Sequence, residues 1–541
     1  MATTESAPGK RRLLVKSATF VMLGNLASSV MGLVRQSVVA ALGAGVAAPF
    51  VAALTPLQTF LDLLANGTVS GALIPTFSDY AGDERRLELG RVVYTIVNLL
   101  ILATLTIAVV FFFVAPWLVE SVLTVGFTPG QKTLTIQLSQ VVIFALLLMG
   151  PFAVLQAALY SREKFGGAAF AAGFLHVGVI AGAIATGLWG ATRFGRLGLA
   201  FGVILGAVVQ IAMLVPALKR QHLPYMLVLD LKHSAIRRIF RLYAPLAPSY
   251  VVSMGFVFLD LSLASRTPGN PTANVAALKF ATALVQFPVG LVAAALSFAV
   301  LPMLSKYAKD NDEAQFKETL MMGIRLGLLL MIPAAAGLIV LRYPITSLLF
   351  EHKHYTARNA ALTAVVLQNY AYQLPFIVID QLVMFAFYAR KNTLVPVTVG
   401  FVCYGFYALV AFPFYKTIGA PALAFANTAQ NSMHGLILLA LFYRFFGSLD
   451  LRGTLPTILK IGIATAAMVA VVWGLETVIV LHPLLSPHSF RGRVLTMLIA
   501  SAAAVVVYFG AILLLKVEEM SLLKTSIQAK VGKRLSTSQT K

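Results

Sequence analysis

Charged residues are scarce in this chain of 541 residues, in which only 11% are Asp, Glu, Lys or Arg and 59% are hydrophobic. A typical soluble domain is about one quarter charged. The apolar residues therefore exceed what a water-soluble core of this length could bury. This composition excludes a soluble enzyme, a disordered scaffold and a nucleic-acid-binding domain.

Cysteine is almost absent, and the motifs of common enzymes are missing. The single cysteine, Cys403, excludes an intrachain disulfide, and its apolar neighbours predict a buried thiol. No Cys/His group has zinc spacing, no glycine-rich loop ends in Gly-Lys-Ser/Thr, and no local motif suggests a Ser/His/Asp triad. We therefore expect no covalent catalysis, no ATP and no cofactor beyond a coupling ion.

Long apolar runs, by contrast, occupy most of the chain. About 20 predominantly apolar residues suffice for a helix to cross a bilayer. The runs that meet this requirement cover 14–43, 47–79, 90–117, 133–160, 165–189, 197–218, 241–265, 272–305, 318–341, 358–389, 393–414, 419–446, 455–480 and 492–516. They predict an all-α, polytopic membrane protein with about 14 transmembrane helices.

The formal net charge of +22 is explained by topology. With the N-terminus on the inside, 28 of the 42 Lys and Arg residues fall in inner segments, 10 in outer loops and four at membrane depth. Cytoplasmic loops are enriched in these residues, which also suit anionic lipid headgroups. We therefore expect a cytoplasmic-membrane protein with both termini in the cytoplasm, in contact with membrane lipids and without a nucleic-acid partner.

An internal repeat divides the chain into two halves. Pro75 and Pro302 lie 227 residues apart, each followed by Ser and Tyr-Ala at matching offsets, and Tyr160 and Tyr388 lie 228 apart in matching helix ends. Six spans separate the repeats, so the two lobes should run in parallel, as in transporters whose substrate site lies between the halves. The predicted parts are residues 1–228 (helices 1–6), 229–450 (helices 7–12), and 451–541 (two extra C-terminal helices and a basic tail).

Ionisable side chains at membrane depth mark candidate functional sites, because each costs free energy to bury in lipid. Arg35 could present its guanidinium to a phosphate, or form a structural ion pair with Asp62. Lys279 could supply a second cation or extend to the outer interface. Asp260 and Asp380 could each hold a coupling cation or proton, or be structural hydrogen-bonded carboxylates.

The segment between the halves combines basic and apolar residues with helical spacing. Ile236, Ile239 and Phe240 follow an i, i+3, i+4 pattern with arginines between them. This pattern favours an amphipathic helix at the membrane surface. A solvated basic loop is the alternative.

Several motifs together resemble the MurJ (MviN) family of lipid II flippases, within the multidrug/oligosaccharidyl-lipid/polysaccharide exporter superfamily. They are Gly32-Leu-Val-Arg35 with Gly43-Ala-Gly45, Gly71-Ala-Leu-Ile-Pro75, Phe287-Pro288-Val-Gly290-Leu291 running to Leu301-Pro302-Met-Leu-Ser305, and Phe387-Tyr388-Ala-Arg390 leading to Val395-Pro396-Val397. The resemblance implies a fourteen-helix fold with a cationic cavity between two lobes. That cavity would receive the pyrophosphate of a lipid-linked precursor, and a groove near the last two helices its polyprenyl tail.

The family's cavity residues are only partly present. Arg35 matches one family arginine, but the other arginine of that helix falls on Ser29. The arginines of the second helix fall on Leu61 and Asp62, and the nearby family acid falls on Asn66.

Two further positions bear on the substrate and the coupling ion. The family arginine of the eighth helix falls on Ala283, one turn after Lys279. For the family's cation site, Asp260 and Thr428 lie in the corresponding helices. We therefore expect Arg35, Lys279, Ser29, Asp62 and Asn66 to bind substrate. Asp260, Thr428 and Asp380 are the candidates for coupling to Na⁺ or H⁺.

We expect a non-enzymatic, monomeric transporter that flips a polyprenyl-pyrophosphate-linked peptidoglycan precursor by alternating access. Two alternatives remain open: a drug/cation antiporter of the same superfamily, and a degenerate homologue that acts in cell-envelope assembly without transporting.

Overall fold

The computed structural model describes residues 7–66, 73–164, 166–190, 192–244, 247–449, 451–479, 489–517 and 519–520. These residues form helices and short connections, and no β-strand occurs among them. A helix satisfies its backbone hydrogen bonds within one segment, which the bilayer interior requires. The all-α fold predicted from the sequence is confirmed.

Twenty-one α-helices follow one another along the described chain. They are α1 (Ala7–Ala40), α2 (Ala44–Leu61), α3 (Ile74–Ser78), α4 (Arg86–Leu118), α5 (Pro129–Val142), α6 (Leu146–Ser161), α7 (Gly166–Ala171), α8 (Phe174–Trp189), α9 (Arg193–Arg196), α10 (Gly198–Arg220), α11 (Ser234–Tyr243), α12 (Ala247–Ser265), α13 (Pro271–Asp310), α14 (Glu313–Val340), α15 (Arg342–Phe350), α16 (Ala357–Ala371), α17 (Leu374–Ala389), α18 (Leu394–Phe414), α19 (Ala420–Phe446), α20 (Leu451–Ile479) and α21 (Phe490–Leu514). A π-helical turn, Asp62–Asn66, continues α2.

By length and composition, 11 of the described helical segments could cross a membrane, or 12 when α16 and α17, bent by 42° at their junction, count as one span. The chain is therefore a multi-pass membrane protein. The total of fourteen transmembrane helices stays a prediction.

The chain packs into two compact units that are discontinuous in sequence. Unit 1 contains Met1–Ala283, Phe350–Leu362 and Pro413–Leu423, and unit 2 contains Leu284–Leu349, Thr363–Phe412 and Ala424–Lys541. These units are defined by packing, whereas the predicted lobes over 1–228 and 229–450 and the appendage over 451–541 are defined by the repeat. The lobes stay a prediction.

In unit 1, α8 and α10 approach each other closely through glycine. A Cβ at Gly178 would collide with the backbone of Gly206, and one at Gly202 would lie 2.8 Å from Gly182 Cα. Small residues allow such close packing where lipid, rather than water, surrounds the helices. The pair packs closely, and α8 lies against α1.

The amphipathic helix predicted between the halves is present as α11. Ile236 and Ile239 are buried, and the basic residues point outward. Arg238 Nη1 lies 2.5 Å from Asp79 Oδ2. The solvated-loop alternative is therefore wrong.

In unit 2, α14 packs against α17 through small residues. A side chain at Gly327 would meet Val378, and one at Gly323 would lie 3.4 Å from Leu382 Cδ2. The thiol of Cys403 on α18 is buried, as its apolar neighbours predicted.

Candidate functional site

Arg35 lies on α1 in unit 1, on the helix face that also carries Ser28 and Gly32. Its side chain is partly buried. Among the described residues, no hydrogen bond or ion pair joins its guanidinium to another side chain, Asp62 included. The structural ion pair between Arg35 and Asp62, which the sequence left open as an alternative, is therefore not formed.

His176, on α8, faces the same side of α1. Its Nε2 lies 3.3 Å from the Ser28 hydroxyl, and its ring rests against Gly32, where a Cβ would lie 3.6 Å from Nε2. The charge of Arg35 acts on this imidazole. Its Nδ1 is buried and has no hydrogen-bond partner in the described part of the chain. His176 therefore places a buried ring nitrogen without a hydrogen bond near Arg35.

Lys279, on α13, is turned toward α2 within unit 1. Its ammonium donates a hydrogen bond of 3.3 Å to Gln58 Oε1. The charges of Arg35 and Asp62 both act on it. The sequence separates Lys279 from Arg35 by several helices, yet the fold places the two cations in one electrostatic neighbourhood.

The other predicted substrate residues lie on the same helices as this pair. Asp62 opens the π-helical turn after α2, is exposed, and interacts with a neighbour. Ser29 is partly buried on α1, but the hydrogen bond to His176 comes from the preceding residue, Ser28. Asn66 ends the π-helical turn, and its side chain lies outside the described residues.

The electrostatics of this cluster favour an anion. Arg35 and Lys279 contribute two positive charges and Asp62 one negative charge, so the set carries a positive balance. A guanidinium presents five N–H donors in a planar fork that matches phosphate oxygens, and an ammonium presents three. The donors of this cluster are of the kind that suits a phosphate group.

A second polar cluster lies in unit 2, where α17 and α19 run in parallel. Thr428 Oγ1 donates to the Asn369 carbonyl at 2.6 Å. His434 Nδ1 lies 2.5 Å from Asp380 Oδ1, and its Nε2 lies 3.1 Å from the Pro396 carbonyl.

The structure groups only two of the three predicted coupling residues. Asp380 and Thr428 border the cluster in unit 2. Asp260 is partly buried on α12 in unit 1, where it has an interaction partner. Their role in coupling stays a prediction.

Both histidines and Gln58 were not among the residues predicted from the sequence. The predicted residues with charge at membrane depth were Asp, Lys and Arg, although histidine is also ionisable and His176 and His434 lie within apolar runs. Including histidine would have found both. Gln58 carries no charge and becomes recognisable only through its contact with Lys279.

Comparison with known proteins gives the class to which this fold belongs. The family model described as "Lipid II flippase MurJ" matches residues 38–495. A probable lipid II flippase MurJ from Bdellovibrio bacteriovorus is 26% identical over 531 residues, covering 96% of this chain and 98% of the relative.

Solved structures show the same fold. A lipid II flippase MurJ in an inward closed conformation aligns with a TM-score of 0.72 at 20% identity, covering 91% of this chain and 97% of that one. An inward-facing multidrug resistance MATE transporter aligns with a TM-score of 0.66 at 14% identity, covering 79% and 98%. The chain thus shares the fold of these two solved structures. By its sequence, the chain belongs to the MurJ family of lipid II flippases.

Proposed function

We propose that this protein flips lipid II, the polyprenyl-pyrophosphate-linked precursor of peptidoglycan, across the cytoplasmic membrane. The matching family and its relatives carry that activity in their names. Arg35 and Lys279 would hold the pyrophosphate while access alternates between the two sides. The partners of the protein are its lipid-linked substrate and the surrounding membrane lipids.

This proposal rests on the hydrogen-bond partners that Arg35 and Lys279 have, and lack, in the structure. Arg35 makes no hydrogen bond or ion pair to a described residue, while Lys279 donates to the neutral amide of Gln58. A charged group at membrane depth usually faces a cavity or a partner. Donors left available on two neighbouring cations match an anion that carries about two charges.

His176 extends the same binding surface. Buried polar atoms are nearly always hydrogen-bonded, and His176 Nδ1 has no partner among the described residues. Because Nδ1 is buried, it would reach a phosphate or sugar oxygen of the substrate only when the helices around it separate in the transport cycle. Ser28 holds the ring in place through the opposite nitrogen.

Four further properties belong to this proposal. The protein works as a monomer without ATP hydrolysis, its termini face the cytoplasm, and it is driven by a cation gradient. The charge asymmetry of the loops supports the orientation of the termini, and the lack of an ATP-binding motif supports transport without ATP.

The test is flipping of a fluorescent lipid II analogue in proteoliposomes. Losing a hydrogen bond to a charged group costs about 1.5–3 kcal/mol, or roughly a 10- to 100-fold loss of affinity. Arg35→Ala should therefore raise the half-saturating lipid II concentration by roughly that factor. Arg35→Lys should recover only part of it, because lysine lacks the planar fork.

The same assay applied to Lys279→Met should show a similar loss. Arg220→Ala and Lys219→Met are matched controls, because both residues are exposed at the end of α10. Unchanged transport in Arg35→Ala and Lys279→Met would remove both residues from substrate binding.

The two alternatives give different results in these vesicles. A drug/cation antiporter would move organic cations, which the positive balance around Arg35 repels. A non-transporting homologue would flip nothing in vesicles and would not restore the growth of flippase-depleted cells.

A further inference from the structure

The imidazole of His434 is held between two oxygen atoms in unit 2. Nδ1 lies 2.5 Å from Asp380 Oδ1 on α17, and Nε2 lies 3.1 Å from the Pro396 carbonyl on α18. A carbonyl oxygen only accepts hydrogen bonds, so Nε2 must carry a proton. The short contact at Nδ1 then requires one more proton, on either His434 or Asp380.

Counting protons shows what this pair can bind. With one proton in the Nδ1–Oδ1 bridge, the pair is neutral overall, either as imidazolium with carboxylate or as imidazole with carboxylic acid. Without that proton the pair carries one negative charge. The one remaining ring proton then bonds the Asp380 carboxylate, which is the stronger acceptor, so the Nε2 lone pair faces the Pro396 carbonyl and pushes α18 away from α19.

Glycine on two helices makes this close contact possible. A Cβ at Gly435, next to His434, would lie 3.0 Å from the Phe376 carbonyl oxygen and 3.1 Å from Asp380 Cβ. A Cβ at Gly400 on α18 would lie 3.7 Å from His434 Nε2. The backbones therefore approach closely at the height of the pair.

Few other titratable groups act on this pair. Cys403, on α18, is the thiol that lies within electrostatic reach of Asp380. From α14, Gly323 and Gly327 face apolar side chains of α17. Within the described residues, no further charged side chain acts on His434.

Polar groups continue along the same helices. Asn431, one turn before His434, donates to Gln373 Oε1 at 2.5 Å and to Asn427 Oδ1 at 3.1 Å. Thr428 and the Asn369 carbonyl follow. These hydrogen bonds connect α19 to the end of α16 and the start of α17, and so hold the helices together beside the pair.

We propose that Asp380 and His434 form a proton-binding site, and that release of one proton from the pair separates α18 from α19 in the transport cycle. On release, one proton leaves to water. It leaves an ionised carboxylate and a neutral imidazole whose remaining proton lies on Nδ1, bonded to Asp380. The existence of the site is independent of the proposed lipid II transport, whereas its role in coupling rests on that function.

The site is tested by NMR of the full-length protein, labelled with ¹⁵N-histidine, in lipid nanodiscs. The signal lost in His434→Gln identifies His434. In the wild type we expect the Nδ1 signal to report a proton shared with Asp380, and in Asp380→Asn an Nδ1 without that proton and a proton at Nε2 alone. The same His434 signal in both proteins would overturn the proposal.

Gly435→Ala tests the site without removing either titratable group. The added methyl group pushes α19 away from Asp380, so the Nδ1 signal should shift toward that of Asp380→Asn. His222→Gln is the matched control, because His222 is exposed in a turn, and it should leave the His434 signal unchanged.

Coupling is tested with the fluorescent lipid II analogue in proteoliposomes under an imposed pH gradient. Wild-type transport should respond to the gradient, and Asp380→Asn and His434→Gln should each lose that response, as should the double variant. A full response in either single variant would overturn the coupling role. Wild-type vesicles that flip no lipid II would reject the proposed function, while the NMR result would still decide the proton site.

Discussion

Arg390, at the end of α17 in unit 2, should contribute to stability mainly by stacking rather than by its ion pair. Its guanidinium carbon lies 4.4 Å from the ring centre of Phe316 and 4.1 Å from that of Phe446. Its Nη2 lies 2.5 Å from Glu313 Oε2. The arginine therefore connects the ends of three helices, α14, α17 and α19.

The expected magnitudes differ between the two kinds of contact. A cation–π contact is worth about 0.5–2 kcal/mol, more where water is excluded, and the Arg390 side chain is only 17% exposed. Glu313 is 56% exposed, so solvent screens the ion pair to about 0.2–1 kcal/mol. We therefore expect Arg390→Ala to cost about 2–4 kcal/mol of unfolding free energy.

Two further variants separate stacking from charge. Arg390→Lys keeps the charge but loses the planar stack, and should cost about 1–2 kcal/mol. Glu313→Gln should cost less than about 1 kcal/mol.

The assay is equilibrium unfolding of the purified protein in mixed micelles with increasing denaturing detergent, followed by fluorescence. Arg444→Ala is the matched control, because Arg444 is exposed near the end of α19, and it should change stability by less than about 0.5 kcal/mol. A Glu313→Gln loss as large as that of Arg390→Ala would refute the stacking argument. So would wild-type stability in Arg390→Lys.

Two further predictions concern unit 1. Gly202→Leu should destabilise the protein by about 1–3 kcal/mol or more in the same unfolding assay. The reason is that its Cβ would lie 2.8 Å from Gly182 Cα, where the backbone cannot give way. Wild-type stability would contradict the close α8–α10 packing. Asn98→Ala should lower the free energy of unfolding by about 1–3 kcal/mol and expose the segment after α10 to protease. The reason is that the Asn98 amide donates to the Met226 and Val228 carbonyls at 3.0 and 2.9 Å. An unchanged cleavage rate would contradict this role of Asn98 in holding the segment.

The general architecture of this protein could be predicted from the sequence because membrane helices are specified locally. A long apolar run must form a helix in lipid, since its backbone groups have no other partners. Local spacing also sufficed for α11, where Ile236 and Ile239 follow a helical period that the structure confirms. Arg35 and Lys279 were identified because charge at membrane depth is rare.

The sequence alone could not show which polar residues meet. Whether Arg35 pairs with Asp62 depends on how α1 and α2 are rotated, and that rotation is set by packing rather than by the residues' own spacing.

Hydropathy determined by itself that this chain is a multi-pass helical membrane protein, because burial in lipid acts on each segment separately. Only the tertiary structure brought Arg35 near Lys279 and joined Asp380 to His434. These contacts depend on helix rotation and on small residues such as Gly435, which allow two backbones to approach. The sequence of one helix shows neither how that helix is rotated nor which neighbour its small residues face.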